Sequence, residues 1–220
     1  MIIINTPNNP TAKCFQTTDF QALTDLIKNT NILLLSDEVY EHLVFDGQKH
    51  IGVWDFPELR ERSFAVSSFG KTYHSTGWKT GYVVAPPGLT KEFRKIHQFN
   101  VFAGNHPIQA ALADFLSDEN EWRSLPGFYQ KKRDFFSKIL KNTRFKALPC
   151  AGTYFQTVAY SAISDEPDMV FAERLTRDFG VATIPVSAFF SSKKDDRVLR
   201  LCFAKTEDVL ENAGEKLARI

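Results

Sequence analysis

Three polar side chains follow three successive apolar runs. Asn9 comes after Met1 to Ile4, Asp37 after Ile32 to Ser36, and Lys71 after Ser63 to Phe69. In open α/β sheets ligands bind beyond the carboxyl ends of the strands, so these three positions are expected to converge on one crevice. The sequence thus offers an amide, a carboxylate and an amine. That set suits a cofactor carrying an aldehyde, a phenolic oxygen and a basic ring nitrogen.

Each residue taken alone has a plainer reading. An Asp after a strand is more often a helix cap or turn former, Asn9-Pro10 is an ordinary turn, and Arg200 is the exposed residue of an alternating strand. Gly70-Lys71-Thr72 ends like a phosphate-binding P-loop, but that motif needs glycine at position 65, where this chain has Ala65. No G-x-G pair occurs, so a dinucleotide fingerprint is absent. His42, His50, His74, His97 and His106 show no metal-ligand spacing, and His74 reads as structural or solvated despite its nearness to Lys71. The 20 phenylalanines are mostly core, with Phe155, Phe189 and Phe190 as candidate pocket liners.

The elements that must position these groups are legible in outline. Apolar runs at Ile2 to Ile4, Ile32 to Leu35 and Ser63 to Phe69 alternate with helical stretches, which indicates parallel strands covered on both faces and hence an α/β sheet. Thr18 to Gln21 has a capping-box pattern that opens a helix through about Asn29. Tyr82 to Ala85 reads as a further strand, stopped by Pro86-Pro87-Gly88. Longer helices follow at His106 to Leu116 and Glu119 to Lys141, the second interrupted at Pro126-Gly127. Strands at 145–148, 153–158, 181–184 and 198–203, with helices at 167–179 and from Thr206, suggest a smaller α+β domain. The expected division is 1–110 for the cofactor domain and 111–220 for a linking helix and the small domain.

Bulk properties narrow the function classes. With 27 basic and 26 acidic residues the net charge is +1, which gives no electrostatic footprint for nucleic acid or an anionic membrane. No stretch reads as a signal peptide or a bilayer span, and three scattered cysteines form no disulfide framework. A cytosolic location and a small-molecule or protein partner are expected.

Four segments, NTPNNPT, SDEVYEHLVF, SFGKTYHSTGWKTGY and RLCFAK, occur in this order and resemble the class I/II aminotransferases, pyridoxal-phosphate enzymes of fold type I. The likeness is to the branch of methionine aminotransferases and of kynurenine/glutamine aminotransferases with carbon–sulfur lyase activity. It implies that Lys71 attaches the cofactor and then serves as the base that moves the substrate proton. It further implies that Asp37 pairs with the ring nitrogen and that Tyr40 and Asn9 bond the phenolic oxygen. Ser68 and Lys79 would then take the phosphate, and Arg200, with Asn9, the substrate α-carboxylate. Lys79 stands where many relatives have arginine, and it contributes a point charge without a bidentate fork.

The resemblance also implies segments upstream of NTPNNPT: a glycine-containing helix N-terminus for the phosphate, an aromatic stacked on the ring, and an arm reaching a dimer partner. The chain is therefore expected to be the C-terminal part of a homodimeric enzyme, with exposed apolar strand edges and helix faces, inactive alone, and either completed by a separately encoded N-terminal fragment or a piece of a longer chain. The implied substrates are apolar or aromatic L-amino acids, such as methionine, and a 2-oxo acid. A split-gene remnant, a non-catalytic protein of this fold and a β-lyase are the alternatives.

Overall fold

Each apolar run of the first half forms a strand in the computed structural model, which describes residues 1–220. The strands are β1 (Ile2–Asn5), β2 (Leu34–Asp37), β3 (Ser63–Ser68) and β4 (Gly81–Val84), in the spatial order β1-β2-β3-β4. β1, β2 and β3 run parallel and β4 is antiparallel to β3. Parallel neighbours need a crossover, which α1 (Thr17–Ile27) supplies between β1 and β2. α2 (Pro57–Arg60) precedes β3. Only the single turn α3 (Phe69–Thr72) and a 3₁₀ turn at Thr76–Trp78 separate β3 from β4, enough for a reversal.

The expected covering of both sheet faces is only half realised. Ile2, Ile4, Leu34 and Ala65 pack on one face with Phe20 and Ile27 of α1, Val53 and Leu59, and this core is nearly dry. Phe56 stacks on Phe20 with ring centroids 4.9 Å apart. Burial alternates along β2 and β3, so Leu35, Phe64 and Val66 on the opposite face are only half-buried. Phe93 of α4 (Pro87–Asn100) approaches Phe64 there. α4 itself buries no residue, and Phe99 is 87% exposed.

Two helix starts differ from the sequence expectation. α1 is capped two residues earlier than Thr18: the Gln16 N–H donates to the Asp19 carboxylate (2.7 Å), so the expected box lies inside the first turn. α4 begins where Pro86-Pro87-Gly88 was read only as a strand stop. Proline at the first helical position has no N–H to leave unbonded and its φ is already helical, so the same residues end one element and open the next.

α5 (His106–Phe115) and α6 (Asn120–Arg123) follow. The expected helix from Glu119 to Lys141 is broken at Ser124, and Pro126 sits in the first turn of α7 (Leu125–Leu140), where proline is tolerated. The chain divides into two compact units, Met1–Pro7 with Cys14–Pro126 and Asn8–Lys13 with Gly127–Ile220.

The second unit is α+β. Its sheet is antiparallel with the order β5-β6-β8-β7, formed by β5 (Lys146–Ala147), β6 (Phe155–Ala159), β7 (Ile184–Pro185) and β8 (Val198–Cys202). α8 (Asp168–Phe179) and α9 (Glu207–Leu217) complete it, and Phe136, Phe171, Leu175, Val158, Leu199 and Leu217 are buried. No helix is long and apolar enough to cross a membrane.

Candidate functional site

Asp37 closes β2 and Ser68 closes β3. The register pairs Asp37 with Asn5 and with Val66, and Ser68 with Gly81. Paired residues of neighbouring strands share a face, as do alternate residues of one strand, so Asn5, Asp37 and Ser68 lie on one face at the carboxyl end of the parallel strands. Tyr40, in the turn after β2, is 2% exposed. Lys71 lies in α3, immediately after β3, and is half-buried. Lys79 is exposed, two residues ahead of Gly81, with left-handed backbone (φ 54°). The first unit therefore gathers Asp37, Tyr40, Ser68, Lys71 and Lys79 at one edge of its sheet.

That edge is firmly held. The Asp37 carbonyl accepts from the Thr6 N–H (3.0 Å) and the Asn5 amide (2.9 Å), and its carboxylate accepts from the Val39 N–H (3.1 Å). The Ser68 hydroxyl accepts from the Gly70 N–H (3.2 Å), which caps α3. Two further carboxylates bracket Tyr40. Glu38, buried, accepts from the Ser36 hydroxyl (2.8 Å) and the Val53 N–H (3.1 Å) and meets His50 at 2.8 Å. Burial pushes its carboxyl up, but the hydrogen bond and charge of His50, with Val53 and Ser36, bring it net below the usual carboxylate range. Gly52 passes so close that a Cβ there would lie 2.2 Å from the Glu38 carboxylate.

The other carboxylate, Glu41, accepts from the Ser67 hydroxyl (2.5 Å) and from the Tyr82 hydroxyl. Burial, then the hydrogen bond to Glu41, raises the Tyr82 phenol far above its ordinary range. The Tyr82 ring also lies against Phe69, centroids 5.1 Å apart. Glu41 and Tyr82 do not stand out in the sequence, although both fall inside the quoted segments. A glutamate in a turn reads as solvated, and only the alternation that turns Ser67 away from Ser68 hints at a partner.

Asn9 and Arg200 belong to the second unit. The Asn8 carboxamide accepts from the Thr11 N–H (3.1 Å) and hydroxyl (2.7 Å), forming the tight loop that carries Asn9. Buried Ala12, in left-handed backbone (φ 58°), accepts through its carbonyl from the N–H groups of Ala151 (3.0 Å) and Gly152 (3.1 Å). Arg200, on β8 opposite Thr157 and Ile184, donates to the Asn9 side-chain carbonyl. Its guanidinium lies 3.9 Å from the Phe155 ring centroid and 5.4 Å from that of Phe189. Aromatic contact of this kind satisfies the cation across its face and leaves N–H donors in its plane, the geometry that suits a carboxylate. Phe190 is exposed.

The donor set in the first unit fits a pyridoxal phosphate: a carboxylate for a protonated ring nitrogen, a phenol, a hydroxyl and an ammonium for oxygen groups, and an amine beside them.

A family model described as aminotransferase class I and II matches residues 1–217. Over its whole length the chain is 49% identical to the methionine aminotransferase of Escherichia coli (strain K12), of which it covers 57%. It is 36% identical, over 97% of its length, to kynurenine–oxoglutarate transaminase 3 of Rattus norvegicus, covering 52% of that protein. Among solved structures, YbdL of Escherichia coli, identified with a methionine aminotransferase function, superposes with a TM-score of 0.96 at 48% identity, over 100% of this chain and 58% of that one. N-succinyldiaminopimelate aminotransferase of Mycobacterium tuberculosis gives 0.92 at 32% identity, over 99% and 57%. The chain thus spans a little over half the length of these relatives.

Proposed function

The chain belongs to the class I and II aminotransferases, and from that premise we propose that it forms part of a pyridoxal-phosphate enzyme moving an amino group from an apolar or aromatic L-amino acid, such as methionine, to a 2-oxo acid. The observation that carries this reading is the placement of Asp37 and Ser68 on one face, at the strand ends beside Lys71. What the cofactor supplies when bound is an electron sink that makes the substrate Cα proton acidic.

In this reading Asp37 holds the proton on the ring nitrogen and Tyr40 and Asn9 donate to the phenolic oxygen. Ser68 and Lys79 bind the phosphate. The Lys71 amine makes the covalent attachment and, once released by substrate, carries the proton from Cα. Arg200, oriented by Phe155, Phe189 and Asn9, presents its N–H edge to the α-carboxylate. The preference for methionine follows the 49% identical relative that bears that name. A cytosolic homodimer accompanies the proposal.

The test is to add pyridoxal phosphate to the purified chain, alone and joined to the N-terminal segment that its longer relatives carry, record the absorbance of the lysine-bound cofactor, and compare transamination of methionine, phenylalanine, kynurenine and aspartate in the joined protein. Methionine or an aromatic substrate should lead, and Lys71→Ala should abolish both signals. A preference for aspartate would overturn the substrate class. Thiol release from a cysteine conjugate without transamination would make the protein a β-lyase, and no Lys71-dependent absorbance would reject the cofactor.

A further inference from the structure

Four of the residues given roles above sit in two clusters of the first unit, Asp37 at the end of β2 with Tyr40 in the turn after it, and Ser68 with Lys71 at the end of β3 and in α3. Backbone pairing joins β2 to β3 only as far as Asp37, which is opposite Val66. Beyond that point the Glu38 N–H still reaches the Val66 carbonyl (2.8 Å), and the chain then turns away on its own hydrogen bonds, Glu41 to Glu38 (2.8 Å) and Leu43 to Tyr40 (2.8 Å). Those bonds shape the turn without attaching it to β3.

The attachment is made by side chains. Glu41 follows Tyr40, and its carboxylate accepts from Ser67, the neighbour of Ser68, and from Tyr82 on β4. Ser67 and Tyr82 are register partners, so two adjacent strands deliver hydroxyls to one oxygen. The Tyr82 ring in turn packs on Phe69, two residues before Lys71. A carboxylate is an acceptor-only group and both neighbours are hydroxyl donors, so the arrangement is matched in polarity.

We propose that Glu41 is a positioning residue: with Ser67 and Tyr82 it forms a strut that sets the Tyr40 turn against the strand and helix carrying Ser68 and Lys71. The mechanical part stands on the hydrogen bonds alone, and its consequence for the cofactor rests on the function proposed above. Glu41 has no role of its own in the chemistry. It fixes how far the group that bonds the phenolic oxygen stands from the amine that makes the attachment.

The experiment uses the full chain and three variants. Glu41→Leu fills similar volume without an acceptor, Glu41→Gln keeps one acceptor oxygen, and Tyr82→Phe removes a single hydroxyl. Amide hydrogen exchange is followed at Glu41 and Leu43, with Leu34 as the reference within β2. Glu41→Leu and Tyr82→Phe should speed exchange in the turn by about tenfold while Leu34 is unchanged, and Glu41→Gln should restore most of the protection. With pyridoxal phosphate added, Glu41→Leu should also shift the pH midpoint of the lysine-bound absorbance by about half a unit or more, and Glu41→Gln by less.

Turn amides that exchange at the parental rate in both Glu41→Leu and Tyr82→Phe would overturn the strut, as would equal acceleration at Leu34. A loosened turn with an unmoved midpoint would overturn its link to the cofactor. If Glu41→Leu does not fold, Tyr82→Phe carries the same comparison. No Lys71-dependent absorbance in the parent chain joined to the N-terminal segment of a longer relative would reject the proposed function, and the exchange rates would still decide the strut.

Discussion

The two faces of the first sheet are built from the same strands and differ in almost everything else. On one, Ile2, Ile4, Leu34 and Ala65 meet Phe20, Ile27, Val53 and Leu59, and the polar residues Ser36 and Ser67 are bonded to Glu38 and Glu41. On the other, Ile3 is 69% exposed, Val83 37%, and the strand ends carry Asp37 and Ser68. The period of two in a strand lets one sequence specify both surfaces. The chain spends its packing on the first face and leaves its chemistry on the second, so stability and activity should respond to different residues.

The sharpest separation is Lys71→Ala, which should bring transamination by the protein joined to its relatives' N-terminal segment to background while leaving the urea unfolding midpoint unchanged. A large loss of stability would break the division. On the packed face Phe20→Ala should cost about 3–5 kcal/mol in denaturant unfolding, because a fully buried ring leaves a cavity that its neighbours cannot close. Phe64→Ala, its half-buried counterpart on the opposite face, should cost clearly less, and equal costs would show that the faces are not distinct.

A smaller effect follows from Glu38. Its carboxyl lies net below its ordinary range when folded, so its contribution is present above the ordinary carboxylate pKa and is lost as pH falls through the folded value. Unfolding measured from about pH 7 down to about pH 3 should show a steeper loss for the parent than for Glu38→Gln. Parallel curves would remove Glu38 as an acid-sensitive element. Smallest of all, Val83→Thr on the open face should change stability by no more than about 0.5 kcal/mol, and should reduce self-association in sedimentation if the exposed apolar surface is sticky.

Much of this was legible in the sequence because local patterns determine it. The runs at Ile2, Ile32 and Ser63 are too apolar and too short to be anything but strands of a layered sheet, and Asp37 and Lys71 were picked out by standing at their ends. The start of α4 was hidden by a proline pair that ends β4 and caps the helix at once. Exposed apolar surface was expected from the upstream segments that the resemblance implies, and Ile3, Ile96 and Phe99 show it, but which face of the sheet would lie open could not be read, since an apolar residue looks the same whether it is covered or not. Contacts between distant residues were the hardest. The residues around Asn9 do not announce Arg200; only the resemblance put both at the substrate α-carboxylate, and their hydrogen bond, like the meeting of Glu41 with Tyr82, follows from chain topology.

The loop Asn8–Lys13 is counted with the second unit although the chain on either side of it is counted with the first. During synthesis this loop leaves the ribosome about 140 residues before Ala151 and Gly152, whose N–H groups the Ala12 carbonyl accepts, and closing so long a connection costs entropy that only the finished partner can repay. The loop therefore waits, its own turn held by Asn8 and Thr11, until the last third of the chain is made. A gene divided near codon 126 would not yield two independent products: the downstream polypeptide would lack the acceptor for two of its backbone amides, and the upstream one would carry a loop with nowhere to dock.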